Sequence, residues 1–248
     1  MPFNIGGYIY NGGQADTQDY YNIVTRGLVL NLDASAPSSY PGSGTSWNSI
    51  AQTYATTLTN GPTYSTDGYF TFDDTNDYVE VLSNGNVADF TVQSYTIETI
   101  IYPTVDPDTS EGIMWSYDYT AHSSPYYSQH LRLGGSGGPT DEIGFYWNDG
   151  ANYQGFEVNN AIPTLNIWYY ISATYTSGYQ AVYINGSVAG STTRTDTISY
   201  YNQPIWISRA NFGGYFGGRI AVTRFYNRAL AAAEILQNFN VQRSRFGI

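Results

Sequence analysis

Residues 216–226 read Phe216-Gly-Gly-Arg-Ile-Ala-Val-Thr-Arg-Phe-Tyr226, and residues 227–239 continue Asn227-Arg-Ala-Leu-Ala-Ala-Ala-Glu-Ile-Leu-Gln-Asn-Phe239. Two periods meet in this stretch. With alternation at every second residue, Ile220, Val222, Arg224 and Tyr226 are expected on one face of a strand. Leu230, Ile235, Leu236 and Phe239 then recur at helical spacing, which predicts a short amphipathic helix over about 230–241. A strand that completes a sheet and runs into one covering helix points to a finished β domain.

Working back toward the amino terminus, the same alternation recurs between turn residues. Strands are expected near 28–32, 54–59, 69–72, 78–82, 92–102, 112–117, 129–133, 142–147, 154–158, 167–175, 179–185, 204–208 and 219–226. In the long strand over 92–102, Ile97 and Ile101 face one way and Ile100 the other, and Pro103 and Pro107 stop it. Ser177-Gly178 turns a hairpin, and Asn185-Gly186 suits a turn with positive φ at both centres. Residues 37–47 and Gly134-Gly-Ser-Gly-Gly138 read as loops. About a dozen strands between turns predict an all-β protein: a two-sheet antiparallel β-sandwich with one short C-terminal helix. Residues 1–26, rich in Gly, Asn, Gln and Asp, read as an N-terminal arm, and 27–248 as one domain.

Composition agrees. The chain has 248 residues with 26 Tyr, 26 Gly and 12% charged residues. Tyr and Thr suit pleated surfaces, and Gly suits the turns between them. The net charge of −11, with nine basic residues that are all Arg, leaves no basic face for nucleic acid. There is no Cys, so disulfides and thiolate metal sites are excluded. No window is apolar enough to span a membrane, and the start lacks the basic and apolar regions of a signal peptide.

Four ordered motifs carry a family resemblance: Tyr69-Phe-Thr-Phe-Asp-Asp-Thr-Asn-Asp-Tyr-Val79, Ser94-Tyr-Thr-Ile-Glu-Thr-Ile-Ile-Tyr-Pro103, Trp168-Tyr-Tyr-Ile through Tyr183-Ile-Asn-Gly186, and the strand-to-helix stretch above. Together they resemble laminin-G-like domains of the concanavalin A-like lectin/glucanase group, over roughly residues 27 to 240. The resemblance implies a jelly-roll sandwich. Two departures from the pattern are Ala231, where the family has a capping Ser, and Ala221, where an acidic residue is frequent. Thr25-Arg-Gly-Leu-Val-Leu-Asn-Leu-Asp-Ala34 and Ser39-Tyr-Pro-Gly-Ser-Gly-Thr-Ser-Trp47 further resemble laminin-G-like structural proteins of tailed bacteriophages, cyanophages among them.

Glycoside hydrolysis needs two carboxylates about 5 to 9 Å apart. The six Glu (80, 98, 111, 142, 157 and 234) form no Glu-x-Asp-x-x-Glu pattern, and adjacent Asp141 and Glu142 would point to opposite faces. His122 and His130 are read as a loop and a strand-start residue, with no triad partners. Asp73-Asp-Thr-Asn-Asp77 fits either calcium, which takes several oxygens, or a turn whose Asx side chains cap their own backbone. The turn is preferred. Trp47, Trp115, Trp147, Tyr126, Tyr127, Tyr146 and Tyr153 are candidates for stacking on sugars, against a background in which most aromatics serve core or interface. The tail Arg243-Ser-Arg-Phe-Gly-Ile248 could meet an acidic partner or favour the end of the helix dipole.

No catalytic, cofactor-binding or metal residue is assigned, and no cofactor. The sequence reading is a non-enzymatic virion structural protein on a bacteriophage exterior, a capsid decoration or a fibre or tail component. It would be made in the host cytoplasm and act by contacts with other virion proteins and with copies of itself. The alternative is a carbohydrate-binding module that reads a host-surface glycan, and the third reading is a glycoside hydrolase.

Overall fold

The computed structural model describes residues 22–82, 87–106, 112–118, 127–135, 141–211 and 213–248. Its strands are β1 (Leu28–Asp33), β2 (Thr57–Thr59), β3 (Thr63–Ser65), β4 (Tyr69–Asp73), β5 (Tyr78–Leu82), β6 (Tyr95–Pro103), β7 (Gly112–Asp118) and β8 (Tyr127–Leu133). They continue as β9 (Ile143–Asn148), β10 (Tyr153–Val158), β11 (Tyr169–Thr176), β12 (Tyr179–Ile184), β13 (Ser187–Thr192), β14 (Ile205–Ile207) and β15 (Gly217–Tyr226), followed by the helix α1 (Ala232–Phe246). One sheet runs β13-β12-β11-β6-β15-β4-β3, with β1 also on β15; the other runs β10-β9-β8-β7-β14-β5-β2. All pairings are antiparallel, so the sandwich expected from the sequence is what forms.

The inner faces meet in an aromatic core. Tyr175, Tyr95, Phe225 and Trp115 lie nearly parallel in a row, with ring centroids 5.6, 5.7 and 5.4 Å apart in turn. Trp115 comes from one sheet and the other three rings from its partner, so this offset stack joins the layers. Ile97 and Ile101 enter that core while Ile100 faces outward, as the alternation predicts. Asn185 and Gly186 carry φ values of 49° and 77° in the turn from β12 to β13. This is the turn type that matches strand twist in tight hairpins.

Three sequence expectations are corrected. First, β15 is a central strand, flanked by β6 on one side and by β4 and then β1 on the other. Second, its register shifts between Ile220 and Val222. This bulge puts Ile220 in the inter-sheet core with Phe225, while Val222 and Tyr226 join the layer beneath α1. Simple alternation had grouped all four even positions. Third, the helix continues to Phe246 and stops at Gly247, whose φ of 68° suits glycine. The strands β3 and β13, short or mostly polar, were not read from the sequence.

The helix covers the outer face of the first sheet. Ile235, Asn238, Phe239 and Gln242 are its buried residues, at i, i+3, i+4 and i+7. They pack over Ile100, Tyr170, Tyr183, Val222 and Tyr226. Beneath it lies a polar layer. Asn238 donates to Glu98 at 3.0 Å, and Arg224 meets the same carboxylate at 3.7 Å and donates to Asn31 at 3.0 Å. Burial pushes the Glu98 carboxyl above its ordinary range, and Arg224 opposes that push.

The described end of the arm belongs to this layer. Val24 donates to Asn238 at 2.7 Å and accepts from the Tyr226 hydroxyl at 3.0 Å, and Ile23 is buried. Residues 22–26 therefore dock on their own domain. The rest of the expected arm lies outside the described residues.

Candidate functional site

The outer face of the second sheet gathers the candidate side chains. Pairing of β8, β9 and β10 sets Arg132 beside Gly144 and Glu157, and His130 beside Tyr146 and Gly155. The Tyr146 ring lies across Gly144 and Gly155, where any Cβ would collide with it. Tyr153, 51% exposed, stands edge-on to Tyr146 with centroids 6.1 Å apart. Tyr127 stacks on His130 at 4.0 Å.

A charged network fixes this group. Arg132 donates to Glu157 at 3.1 Å, to the Tyr146 hydroxyl at 2.6 Å and to the Gly134 carbonyl at 2.6 Å, and it reaches Glu142 at 3.5 Å. Its guanidinium also lies 5.0 Å from the Tyr146 ring centroid. The Tyr146 hydroxyl donates to Glu157 as well, and burial raises its pKa above the ordinary tyrosine range, with Glu157 adding to that push and Arg132 opposing it. Glu142 and Glu157 thus converge on one guanidinium. Sequence reading missed the pair because it looked for acids along one strand, and these come from neighbouring strand positions.

A second group lies farther along the same sheet. Arg209 sits 4.6 Å from the Tyr78 ring centroid and 4.5 Å from that of Trp206, and Trp206 Nε1 donates to Glu80 at 3.3 Å. Nothing in the local sequence pattern marks this meeting of β5 and β14.

The other residues singled out from the sequence scatter. Trp47, Trp115 and Trp147 are core. Tyr127, Tyr146 and Tyr153 do come together, while Tyr126 and His122 lie outside the described residues. His130 is not a surface histidine: it is fully buried in the middle of β8, under the Tyr127 ring. Glu98 is buried beneath the helix and belongs to the structural layer. Asp73 Oδ1 accepts from the backbone of Thr75, Asn76 and Asp77 at 3.0 to 3.2 Å, the Asx turn preferred above. Burial opposes ionisation there, but these donors hold the Asp73 carboxyl below its ordinary range. Among the described residues, no group of three or more His, Cys, Asp or Glu is placed to hold a metal ion. No described helix is long and apolar enough to cross a membrane.

A two-sheet antiparallel sandwich with one helix is the fold that the comparisons return. Residues 73–236 match the family model of the concanavalin A-like lectin/glucanases superfamily, and the chain belongs to that family. No curated protein sequence matches it. Among solved structures it is similar to the binding domain of botulinum neurotoxin serotype D, with a TM-score of 0.66 and 14% identity over 88% of this chain and 53% of that one. It is also similar to the serotype D ligand binding domain in complex with N-acetylneuraminic acid, with a TM-score of 0.63 and 12% identity over 88% and 52%. Trypanosoma rangeli sialidase matches with a TM-score of 0.64 and 14% identity over 88% and 33%. The chain therefore corresponds to about half of each toxin domain and a third of the sialidase, and at these identities the likeness is one of fold.

Proposed function

We propose that this domain binds carbohydrate without transforming it, through the outer face of its second sheet. The observation that carries the reading is the half-exposed Tyr153 standing on Tyr146, with Glu157 and Arg132 immediately beside it. An aromatic face with fixed hydrogen-bonding groups at its edge is what a pyranose needs, since one side of the sugar is apolar and its rim carries hydroxyls. The family match and the sialic acid complex of one fold relative support the same direction. Glu142 and Glu157 each give one carboxylate oxygen to Arg132, which ties both acids into holding the site together and favours binding over hydrolysis.

A glycan array tests this. The wild-type chain should enrich a defined set of glycans, and Tyr153→Ala should weaken capture about tenfold, roughly 1.4 kcal/mol, with an unchanged melting temperature. No enrichment above background would end the reading. Glycosidase turnover in the wild type that disappears in Glu142→Gln or Glu157→Gln would replace binding with catalysis.

A second reading is a structural protein on the exterior of a bacteriophage particle, working through contacts with capsid or tail proteins and with its own copies. It is favoured by the edge of the first sheet. There, among the described residues, β13 is hydrogen-bonded to β12 alone, Val188 is 52% exposed, and Leu236 of the helix is 45% exposed. An open strand edge beside apolar side chains is a ready surface for pairing. Light scattering should then report an oligomer that Val188→Lys dissolves. A monomer at all concentrations would weigh against self-assembly.

A further inference from the structure

The first sheet carries a separate cluster, beyond the carboxyl end of α1. Arg219 is in register with Tyr102 on β6 and with Thr71 on β4. Its guanidinium lies 4.8 Å from the Tyr69 ring centroid and 4.5 Å from that of Tyr102. Trp168, just ahead of β11, stands 5.8 Å from Tyr69 and 5.3 Å from Tyr102, and Phe246 closes one side at 4.9 Å from Trp168. All five side chains are partly exposed.

The hydrogen-bonding state of Arg219 is what makes the cluster a candidate site. Among the described residues, five arginines form ion pairs: Arg132, Arg194, Arg224, Arg228 and Arg245. Arg245, close by on α1, donates to Asp33 at 2.9 Å and to the Gly68 carbonyl at 2.9 Å. Among the described residues, Arg219 meets only the two rings, with no carboxylate and no hydrogen-bond acceptor. The rings hold the guanidinium in place by cation–π contact while its N–H fork stays unmatched. A guanidinium fork fits a carboxylate with two parallel hydrogen bonds. Trp168 supplies a stacking face beside it, and exposed Thr71 supplies a hydroxyl.

We propose that Arg219, Tyr69, Tyr102 and Trp168 bind a sugar that bears a carboxylate, a uronic or sialic acid residue. The rings argue for a sugar over a bare anion. The net charge of −11 argues for one carboxylate at a time over a polyanion, which the whole molecule would repel. The site is independent of the second sheet, so it stands or falls apart from the reading above.

Titration of the full chain, followed by ligand-observed NMR and calorimetry, tests it. The probes are methyl glucuronide and the methyl glycoside of N-acetylneuraminic acid, with methyl glucoside, sodium acetate and a glutamate-rich peptide as controls. Either acidic glycoside should bind, with all three controls at least about tenfold weaker. Arg219→Gln and Arg219→Lys should each lose about tenfold or more, because lysine keeps the charge without the fork. Trp168→Ala should lose binding too, and Arg219→Lys carries the test if that variant fails to fold. Arg219→Gln should cost the same factor in a Tyr153→Ala background, which reads this site with the second-sheet site weakened. Binding of neither acidic glycoside overturns the proposal, as does binding indifferent to Arg219→Gln. Acetate as strong as the glycosides would reduce the site to a simple anion site, and the peptide as strong as the glycosides would make its partner a protein; each rejects the sugar.

Discussion

Arg224 is fully buried, and its countercharge is Glu98, 3.7 Å away on the neighbouring strand. Removing one member of such a pair leaves the other charge buried and unmatched, at a cost of about 3–5 kcal/mol. Arg224→Met should therefore destabilise strongly, while Glu98→Leu with Arg224→Met should recover much of the loss. Urea unfolding of the three proteins decides it, and a single variant as stable as the double would refute the coupling. No local pattern announces this partnership, because the two residues lie 126 positions apart, and the fold alone makes them neighbours. The same holds for Glu142 and Glu157, whose meeting is a product of strand register. What a linear sequence does show is residue type and parity. That is why Tyr127, Tyr146 and Tyr153 were nameable as sugar-stacking candidates while the guanidinium that organises them was not.

Among elements, the helix shows how a local expectation can be right and its remedy hidden. Ala231 offers no side-chain cap, as the sequence implied. Glu234 reaches back to the Ala231 amide at 2.9 Å, and Arg228 grips the Glu234 carboxylate with two bonds of 2.7 Å. Arg228 is the main cause that holds the Glu234 carboxyl below its ordinary range, against a smaller opposing push from burial. A carboxyl with a lowered folded pKa adds stability above its unfolded value of about 4.5, and that addition is lost as pH falls through the folded value. Glu234→Gln should cost about 1 kcal/mol at pH 7 and show a shallower loss of stability on acidification below pH 4.5. Parallel curves for both proteins across that window would exclude the linkage. Within the same element, Ile235→Ala should cost about 2–5 kcal/mol by opening a cavity over Tyr170 and Val222. A smaller change in thermal unfolding would mean that the helix is only loosely seated.

For the molecule as a whole, the sandwich was legible because alternation, turn residues and low charge all favoured one answer. The strand order was not, since pairings such as β1 with β15 close nearly the whole chain. Such long closures slow folding to milliseconds or longer in all-β domains. Stopped-flow tryptophan fluorescence should find the core-forming phase in milliseconds to seconds, and full amplitude within microseconds would contradict the topology. Function was the least legible, because the family hosts many activities on one scaffold and the arginine–aromatic clusters are divided between its two outer faces.

The irregularity at Ala221 has a consequence for those arginines. Arg219 and Arg224 stand five apart, an odd interval, which in an unbroken ribbon sends one of the two into the hydrocarbon between the layers. One surplus residue resets the count, so both cations stay on the side away from the core, one sealed beneath a helix and the other within reach of solvent. Iron out the irregularity with every residue kept, and the ribbon would have to bury a charge among phenyl rings or turn Ile220 out toward water.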